Sequence, residues 1–575
     1  MSLLGSSMSS GTTLPSMATI WKKGVRKTVY KHVHCLHNVP LLMLQSQKSS
    51  TILRLLAFYI IGGSFVLWAC FFIYESSFVS IDGRRYYSLF DDALISMRYA
   101  WNFSHGLGLV WNPGEYVEGY TNPLMTLLMA LSTLAFDKVN AVLAVQVLGI
   151  VFMLVNAYLV MAIAGNLVSR QEERYRQLFQ VLAFLCALSY YPLAYWSLMG
   201  NETGLLAVLV SGSILSALRY GEGKPWWGVG TAVCLGLAFW TRPDAAIYAG
   251  PVLLYVFWAT HVSGRGFRVP FALVGVFGLF VVAQELFRWV YYGALVPNTY
   301  VLKVTGVPLL TRIENGANFV LPFLGEVWAL LALAGVGLVI VGFRAEKLLL
   351  AGIFVTALCY QVWAGGDWQN YWRMLSPVVP LLFVLASAAV LRAASLPSLV
   401  VVLVVVVVLS ANQRFLGELA FFDPPFLQGY NRSNVTKTLL LEEFLTENAS
   451  VGVFWAGAVP YYSGLYAVDI LGKSDPYVAR LSPSYRPLGD YGPGHNKCDL
   501  GYSIQELKPT YVEQFESVCS PQDLYDWAKG EYVTVTYKDV HLNLLEDSDE
   551  VRWGKVTEVL RTQEATLAEP SPTLR

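Results

Sequence analysis

Charged residues are scarce in this chain of 575 residues: they make up 14% of it, while 55% of the residues are apolar and the mean hydropathy is +0.48. Soluble domains carry about 25% charged residues, so the scarcity excludes an ordinary soluble protein. The 40 basic and 40 acidic residues cancel, which leaves no net charge to attract a nucleic acid. Apolar runs recur, with VVLVVVVVL at 401–409 as the purest. Most of the chain must therefore meet a lipid bilayer.

A CxxC pair is also missing, although the chain has seven cysteines. Four of them, Cys70, Cys186, Cys234 and Cys359, lie in apolar segments and are expected to be inert packing residues. The polar C-terminal region carries Cys498 and Cys519, which could form a disulfide if that region is exported. The sequence leaves this pairing open, because it does not show proximity.

About eleven apolar segments are predicted to cross the membrane, and the short connections between them separate by charge. Arg219 and Lys224 follow the fourth segment, Arg265 and Arg268 follow the sixth, and Arg344 follows the eighth. All of these connections lie on one side, which the positive-inside rule makes the cytoplasm. The predicted spans are residues 52–74, 140–165, 178–197, 203–218, 226–241, 244–261, 270–290, 319–342, 347–363, 374–392 and 396–411.

The segment Thr121–Phe136 is apolar but only about 16 residues long, which is too short for a comfortable span. Counting it would invert the later segments and break the charge rule, so we predict a re-entrant or interfacial helix. Residues 1–50 are rich in Ser and basic side chains and are expected to form a disordered cytoplasmic tail before an uncleaved signal-anchor. The transmembrane region is then 51–411, with a first external loop at 75–139.

The character of the chain changes after Asn412, where polar residues, Pro and Gly become frequent and apolar spans end. Within this region VGVFWAG (451–457) and YAVDILG (466–472) are predicted strands, with a turn or helix between them. YVTVTYKDVHLNLL (532–545) is predicted to form a strand or hairpin. We therefore expect residues 412–575 to be an external mixed α/β domain.

Polar clusters gather in the connections opposite the basic ones. Because no comparable cluster lies among the cytoplasmic connections, we expect the active face to be external or periplasmic. The clusters are Asp91-Asp92, GYTN (119–122), Asn201-Glu202, TRPD (241–244), PNTY (297–300) with Lys303, and GGDW (365–368) with Arg373.

The paired acids Asp91 and Asp92 stand directly after the first apolar segment, where desolvating a carboxylate is costly unless it is paired or binds something. In a helix over 91–105, Asp91, Arg98, Asn102 and His105 share an arc of about 60°. Such a stripe could face a cavity, or it could be the wet face of a helix lying on the bilayer. A carboxylate here could act as a general base on a sugar hydroxyl or hold a divalent cation.

The segment WNPGEYVEGYTNPL (111–124) mixes turn residues, aromatic rings and two acids. Tyr120 suits stacking on a carbohydrate, and Glu118 could accept hydrogen bonds from hydroxyl groups. The alternative is an interfacial belt of aromatic residues. Arg242 of the TRPD turn either pairs with Asp244 or contacts an anionic head group.

Two further loops carry candidate ligand contacts. Lys303 lies on the outer side, against the usual charge bias, which favours contact with a phosphate. Asn298 and Tyr300 accompany it. In the GGDW loop the glycines permit close approach of the backbone to a ligand, while Asp367 could instead cap a helix.

The segments FDDALISMRYA, GLGLVWNPGE, VEGYTNPL, TRPD, LVPNTY and GGDW, followed by AGAVPYYSG, DILG, SDPYVAR and PGHNK, resemble the GT-C class of polytopic glycosyltransferases. The resemblance is nearest to the terminal arabinofuranosyltransferase branch, which acts on cell-wall arabinan. It implies an α-helical membrane fold with about eleven spans and a C-terminal external domain. It also implies that Asp91 or Asp92 is the catalytic carboxylate, and by their chemistry Lys303, Arg373 and Arg242 become candidates for the donor phosphate.

We therefore predict a multi-pass enzyme of the inner (plasma) membrane, with a cytoplasmic N-terminus, that moves a sugar from a polyprenyl monophosphate to a cell-envelope glycan. The sequence has no evident nucleotide-binding loop, which is consistent with a sugar donor that is carried on a lipid. The rivals are a flippase of lipid-linked sugars, which would need polar groups at the bilayer midplane, and a non-catalytic glycan-binding scaffold. The predicted sugar and acceptor contacts are Arg98, His105, Glu118, Tyr120, Asn122, Asn298, Tyr300, Asp367 and Trp368.

Overall fold

The protein is described from a computed structural model, which covers residues 54–167, 176–367, 369, 371–393, 397–483, 492–515 and 524–568. The chain separates into two units, residues 1–61 and 62–575. In the first unit only residues 54–61, which begin helix α1, are described. The predicted tail at 1–50, Trp368 and Cys519 lie outside the described residues.

Helices make up most of the chain up to residue 419, as its apolar composition predicts. The first twelve are α1 (Arg54–Ser76), α2 (Asp91–Ser104), α3 (Pro123–Ala135), α4 (Lys138–Leu167), α5 (Arg176–Ser189), α6 (Tyr191–Leu198), α7 (Thr203–Gly221), α8 (Trp227–Thr241), α9 (Ala249–Val262), α10 (Arg268–Tyr292), α11 (Asn298–Val304) and α12 (Leu309–Glu326). Next come α13 (Trp328–Val341), α14 (Ala345–Ala364), α15 (Val379–Ala393), α16 (Pro397–Asn412) and α17 (Leu416–Leu419).

Seven helices of the described chain are long and apolar enough to cross a membrane. Two bent pairs, α5 with α6 and α12 with α13, raise the number to as many as nine. The long helices reach across the hydrocarbon layer easily, since α10 alone has 25 residues and so extends for about 37 Å. The seven are Arg54–Ser76, Lys138–Leu167, Thr203–Gly221, Pro243–Val262, Arg268–Tyr292, Ala345–Ala364 and Val402–Leu419.

Two predicted spans are broken. The span predicted at 178–197 is divided between α5 and α6, which meet at 56°, and a proline in the first turn of α6 explains the break. The span predicted at 319–342 is divided between α12 and α13, which meet at 78°. Glu326 ends α12, and its carboxylate accepts hydrogen bonds from Trp372 (2.6 Å) and Arg414 (3.2 Å). These hydrogen bonds hold the end of α12 beside the loop that contains Trp372.

The short segment predicted at 121–136 is helix α3, whose 13 residues extend for only about 20 Å. It packs against α2 and α4. Pro123 stands in its first turn, where a missing backbone N–H costs nothing because that N–H has no helical partner. The helix is therefore too short to cross the bilayer upright, as predicted.

Most of the strands lie in the C-terminal region, in a five-stranded sheet of order β4-β3-β5-β7-β6. Strand β3 pairs in parallel with β4 and β5, and β7 pairs antiparallel with β5 and β6. A small antiparallel pair, β1 with β2, precedes α2. The strands are β1 (Phe78–Val79), β2 (Arg85–Tyr86), β3 (Ser450–Val453), β4 (Tyr466–Asp469), β5 (Tyr511–Val512), β6 (Tyr532–Tyr537) and β7 (Val540–Leu545).

Strands β3 and β4 lie where sequence patterning placed them, and the predicted hairpin at 532–545 is β6 with β7. The helical turn predicted between β3 and β4 is α19. Cys498 is disulfide-bonded, but its predicted partner lies outside the described residues. The helices of this region are α18 (Gln428–Phe444), α19 (Ala458–Ser463), α20 (Pro476–Arg480), a π-helical turn Gly501–Glu506, α21 (Leu524–Glu531) and α22 (Trp553–Ala568).

The sheet shares its hydrophobic core with the first loop region. Ile95 and Tyr99 of α2 and Trp111 lie in one buried cluster with Val451 of β3 and Leu542 of β7. Burial of large aromatic and branched side chains is the dominant favourable contribution to such packing. The C-terminal sheet is thus packed directly on the helix that carries the paired acids, while the predicted boundary at residue 412 stays a prediction.

Candidate active site

The six polar clusters of the sequence converge on one place. A cavity of about 50 Å³ adjoins a larger one of about 300 Å³, and Thr121, Arg242, Thr299, Lys303 and Arg373 line both. The clusters thus come together in space, while their placement on the external side of the membrane stays a prediction. The smaller cavity is lined by Asp92, Ile95, Ser96, Gly119, Tyr120, Thr121, Asn122, Glu202, Arg242, Thr299, Lys303, Arg373 and Lys473.

Of the two paired acids, Asp92 is the one that lines the smaller cavity. It stands in the first turn of α2, where the helix dipole favours a negative charge. Its Oδ1 accepts from the Lys473 ammonium at 2.6 Å and its Oδ2 accepts from Arg373 at 2.8 Å. Burial alone would raise the pKa of Asp92, but these two cations outweigh burial and hold the pKa well below its usual range. About a quarter of the side chain, 27%, stays exposed, so a ligand can reach it.

Asp91 points away from the cavity, because one residue along a helix is a rotation of about 100°. Its carboxylate accepts from the backbone N–H groups of Gly457 (3.1 Å) and Ala458 (3.0 Å), where α19 begins. Burial raises the pKa of Asp91 to about 7. Gly457 is required by this contact, since a Cβ there would lie 2.1 Å from the Asp91 carbonyl oxygen. Asp91 therefore holds α19 against α2.

The two acids point to different partners, and the divalent cation considered for one of them stays a prediction. Asp91 caps α19, whereas both oxygens of Asp92 are engaged by cations. Within the described residues, no group of three or more His, Cys, Asp or Glu side chains could hold a metal ion. The charge that neutralises Asp92 is supplied by protein side chains.

Arg373 links Asp92 to Asp367. Its guanidinium contacts both oxygens of Asp367, at 3.0 and 3.2 Å, in addition to its contact with Asp92. Burial would raise the pKa of Asp367, but Arg373 and Lys303 outweigh it and lower that pKa. Asp367 is thus the partner of an arginine at the cavity wall. Gly366 beside it has φ +78°, and a Cβ there would collide with Phe319.

The loop that presents Arg373 is strained. Tyr371 and Trp372 both adopt left-handed backbone conformations, with φ of 65° and 54°. Side chains from other elements hold them there: Trp196 donates to the Tyr371 carbonyl at 2.9 Å, and Trp372 donates to Glu326 at 2.6 Å. Such strain persists only where the surroundings over-determine the backbone, and it gathers at functional sites.

Arg242 pairs with Asp244 through hydrogen bonds of 2.9 and 3.0 Å. This pairing is one of the two alternatives that the sequence left open for Arg242. Arg242 also donates to Glu202 at 2.5 Å. Glu202 accepts from Asn122 at 3.0 Å, and Asn122 accepts from Ser96 at 2.9 Å. A buried chain of polar contacts thus runs along the wall of the smaller cavity to α2, one turn after Asp92.

Lys303 and Tyr300 project from α11. Lys303 lines both cavities, and burial lowers the pKa of its ammonium group. Tyr300 lines the larger cavity and is 43% exposed. Asn298 does not line either cavity: its amide nitrogen donates to the carbonyls of residues 472 (3.0 Å), 473 (3.0 Å) and 475 (3.2 Å). It ties α11 to the loop after β4.

Lys473 was not among the residues singled out in the sequence. It lies 381 residues after Asp92, in the loop after β4. The buried Asp469 organises this loop by accepting from the N–H groups of Leu471 (3.2 Å), Gly472 (3.1 Å) and Ser474 (2.6 Å). Gly472 takes φ +77°, a conformation that favours glycine. The segments DILG and SDPYVAR, which the resemblance includes, flank Lys473 directly and were the available signal.

The polar residues predicted to share a stripe on α2 line neither cavity at Asp92. Asp91 and Arg98 contact the C-terminal region, whereas Asn102 donates to carbonyls of the first loop. Arg98 is buried and donates to the carbonyls of Trp111 (2.6 Å), Leu465 (2.8 Å) and Pro460 and to Asn112 (2.9 Å). Burial lowers its pKa to about 9. These bonds tie Arg98 to the first loop and to the C-terminal region, and the sugar contact considered for it stays a prediction.

His105 and Glu118 also lie outside the linings of both cavities. His105 is exposed and stacks on Trp101, with 3.9 Å between ring centroids. Glu118 accepts from the Arg288 guanidinium at 2.5 and 3.2 Å, which fixes the first loop to α10. Tyr120 does line the smaller cavity, and its hydroxyl lies 3.1 Å from that of Tyr292. Of the predicted sugar contacts, Tyr120, Asn122, Tyr300 and Asp367 are at the cavities.

Comparison with known proteins supports the resemblance. Residues 428–559 match a domain of unknown function, DUF8728. The chain is 28% identical over 221 residues to the terminal beta-(1->2)-arabinofuranosyltransferase of Mycobacterium tuberculosis, covering 37% of this chain and 34% of that protein. It is 26% identical over 335 residues to the protein of the same name from Corynebacterium glutamicum, covering 51% and 46%. The chain thus spans a third to a half of the length of these curated relatives.

The fold is similar to that of ArnT from Cupriavidus metallidurans. The apo structure of ArnT aligns with a TM-score of 0.52 at 13% sequence identity, over 84% of this chain and 97% of ArnT. The structure of ArnT bound to undecaprenyl phosphate aligns with a TM-score of 0.51 at 12% identity. ArnT is a GT-C glycosyltransferase, so a helical GT-C fold is confirmed, as is the resemblance to the arabinofuranosyltransferases. The count of about eleven spans and the external position of the C-terminal domain stay predictions. The transporter alternative has no support from these comparisons.

Proposed function

We propose that this protein is a membrane glycosyltransferase that moves arabinofuranose from a polyprenyl monophosphate to a hydroxyl group of a cell-envelope glycan. The observation that carries the proposal is Asp92, held between Lys473 and Arg373 at a cavity that Lys303 also lines. A base beside a set of cations is what transfer from a phosphate donor requires. Similarity to two proteins named arabinofuranosyltransferases makes arabinofuranose the first sugar to test.

The donor phosphodiester carries one negative charge, and it leaves as a monoester that carries up to two. The acceptor oxygen forms a bond to the anomeric carbon, the bond from that carbon to the phosphate oxygen breaks, and the hydroxyl proton passes to Asp92. Because the leaving phosphate is a stable anion, it needs fixed positive charge more than it needs a proton. Lys303, Arg373 and Lys473 supply that charge at the cavity.

Asp92 in the structure is a weak base, because two cations hold its pKa low. An incoming phosphate competes with Asp92 for the same cations. As Lys473 or Arg373 turns towards the phosphate, the pKa of Asp92 rises towards its ordinary value and its basicity increases. Arrival of the donor thus activates the base, which limits its action to the occupied site.

The larger cavity suits the lipid-linked half of the donor. It is lined by Arg242, Lys303 and Arg373 and also by Tyr360 and Trp363 of α14. Charged groups beside an apolar wall fit a phosphate joined to a prenyl chain. A protein of the same fold, ArnT, has been captured with undecaprenyl phosphate, which supports a lipid carrier here.

For topology, we propose eleven crossings. The seven long helices and two bent pairs account for nine, and Trp227–Thr241 and Ser376–Val390 are shorter apolar helices that add two. With α3 left at the interface, every connection that contributes to the cavity falls on one side and every basic connection on the other. A cytoplasmic N-terminus then puts the cavity and residues 412–575 on the outer face of the inner membrane.

Cysteine labelling tests this orientation. In a background that lacks the exposed Cys70 and Cys359, Ser482→Cys should react with an impermeant maleimide in intact cells, and Ser10→Cys should react only after lysis. Labelling of Ser10→Cys alone in intact cells would invert the topology.

The reaction itself is tested in proteoliposomes that contain the full-length protein. Radiolabelled polyprenyl-phosphate arabinofuranose, and matched donors that carry hexoses, are offered with an arabinan acceptor. We expect label to enter the glycan from the arabinofuranosyl donor and not from an Asp92→Asn preparation. Transfer from a hexosyl donor alone would change the sugar, and movement of intact donor across the bilayer without transfer would restore the flippase.

A further inference from the structure

A third cavity, of about 280 Å³, lies on the opposite side of α2 from Asp92. In the described part of the chain it shares no lining residue with the two cavities at Asp92. Trp101 lines it and follows Asp92 by nine residues, which is about 180° around the helix and about 13.5 Å along it. Its remaining walls come from the loop before β2, the start of α4, and helices α18 and α19. It is therefore separate from the proposed active site.

Both cations of this cavity have partners. Arg84 forms an ion pair with Asp137 at 2.9 Å, and the two side chains remain 57% and 47% exposed. The Lys138 ammonium donates to the Tyr462 carbonyl at 2.6 Å and lies 5.3 Å from the centre of the Trp101 ring. Arg84 and Lys138 both line the cavity, and each side chain has further N–H donors beyond the one that these partners engage.

Helix α18 supplies acceptors on the facing wall. Thr438 and Glu442 are four residues apart, so they lie on the same face of the helix. The Thr438 hydroxyl donates to the Asn434 carbonyl at 2.8 Å, which leaves its oxygen able to accept. Tyr86 and Tyr462 pack edge to face, 5.8 Å apart, and add apolar surface. The cavity therefore has acceptors, donors and aromatic walls.

The charges in the lining balance: two cations, Arg84 and Lys138, stand with two carboxylates, Asp137 and Glu442. A lining without surplus charge gives no net attraction to an anion or to a cation. A neutral ligand that has many hydroxyl groups can donate to the carboxylates and accept from the cations, with its apolar faces against the aromatic rings. A carbohydrate has this chemistry.

We propose that this cavity is a second glycan-binding site, which holds an internal segment of an uncharged polysaccharide apart from the active site. Retaining the polymer there raises the local concentration of its other ends near Asp92. The site goes beyond the proposed reaction and does not depend on which sugar is transferred.

The test is titration of the full-length protein in detergent, without donor, with a soluble arabinan oligosaccharide. Glu442→Gln removes a carboxylate from the rim, and Glu442→Trp fills the cavity. Both should weaken the Kd by about tenfold or more, because a hydrogen bond to a charged group is lost. Glu443→Gln is the matched control, since Glu443 is the exposed neighbour on α18 and does not line the cavity.

The titration contains no donor and measures no transfer, so its result is independent of the proposed reaction. An unaltered Kd in both Glu442 variants would overturn the proposal. So would saturable binding of inorganic phosphate that Arg84→Gln abolishes, because the cavity would then be an anion site.

Discussion

The two sides of helix α2 hold charged groups in different ways. On one side Asp91 and Arg98 bond mainly to backbone groups of residues 457–465, and they are buried at 4% and 3% exposure. On the other side Asp92 bonds to the side chains of Lys473 and Arg373 at the edge of a cavity. Adjacent acids of the same type thus have different surroundings.

This difference separates structure from chemistry. A charge bonded to the backbone cannot change partners without moving the chain, so it fixes one conformation. A charge bonded to another side chain can exchange that partner for a ligand by rotating a few bonds. The Asp92 side of α2 is therefore the side on which a substrate can compete, and the Asp91 side is the support behind it.

The sharpest way to break the comparison is to neutralise each acid separately. Asp92→Asn removes the proposed base and should cut turnover by about 10²-fold or more, with expression intact. Asp91→Asn should stay within about tenfold of the normal rate, because its carboxylate faces α19 and not the cavity. The measurement is the turnover of both variants at saturating donor. Equal losses of turnover would contradict the proposed difference between the two sides of α2.

The next largest effect is expected at the cations. Charge-assisted contacts to phosphate are worth about 1.5–3 kcal/mol, and about 1.4 kcal/mol is tenfold. Lys303→Ala should therefore raise the donor KM by roughly 10–100-fold and leave the acceptor KM nearly unchanged. Arg373 ranks second and Arg242 third, because Asp244 and Glu202 already neutralise Arg242.

Lys508→Ala is the control for these variants, since this exposed lysine pairs with Glu531 away from both cavities. A donor KM that responds to none of the three cations would mean that the phosphate binds elsewhere.

A smaller effect is expected from Asn298, which acts through Lys473. Asn298→Ala leaves the carbonyls of the 472–475 loop without their donor and lets Lys473 move. We expect turnover to fall by about tenfold, with a non-additive result when Asn298→Ala is combined with Lys473→Ala. Additive losses in that double-mutant cycle would show that Asn298 acts independently of Lys473.

The smallest effect concerns stability and pH. The folded-state pKa of Asp91, about 7, lies above its ordinary value of 3.8. The contribution of this group to stability is therefore full below pH 3.8 and is lost as pH rises through about 7. The Tm of the wild type relative to Asp91→Asn should rise when the pH falls from 8 to about 5.5. A constant Tm difference over that range would contradict the buried environment of Asp91.

Sequence reasoning identified the loops of the site but could not assign individual side chains within them. Charge segregation was enough to put TRPD, PNTY and GGDW on one side, because that pattern follows from membrane insertion alone. Whether Asp91 or Asp92 faces the cavity depends on how α19 packs on α2, which local spacing does not contain. Lys473 was not predicted for the same reason, because its contact with Asp92 joins residues that are 381 positions apart.

The position of Lys473 has a practical consequence for work with shortened forms of this protein. A chain cut near residue 412 would keep the transmembrane helices and the base, yet Asp92 would have one of its two ion-pair partners. The isolated C-terminal sheet would in turn present Lys473 without its acid. Screening for inhibitors on either fragment would therefore address a half-assembled pocket, and only the intact chain offers the complete target.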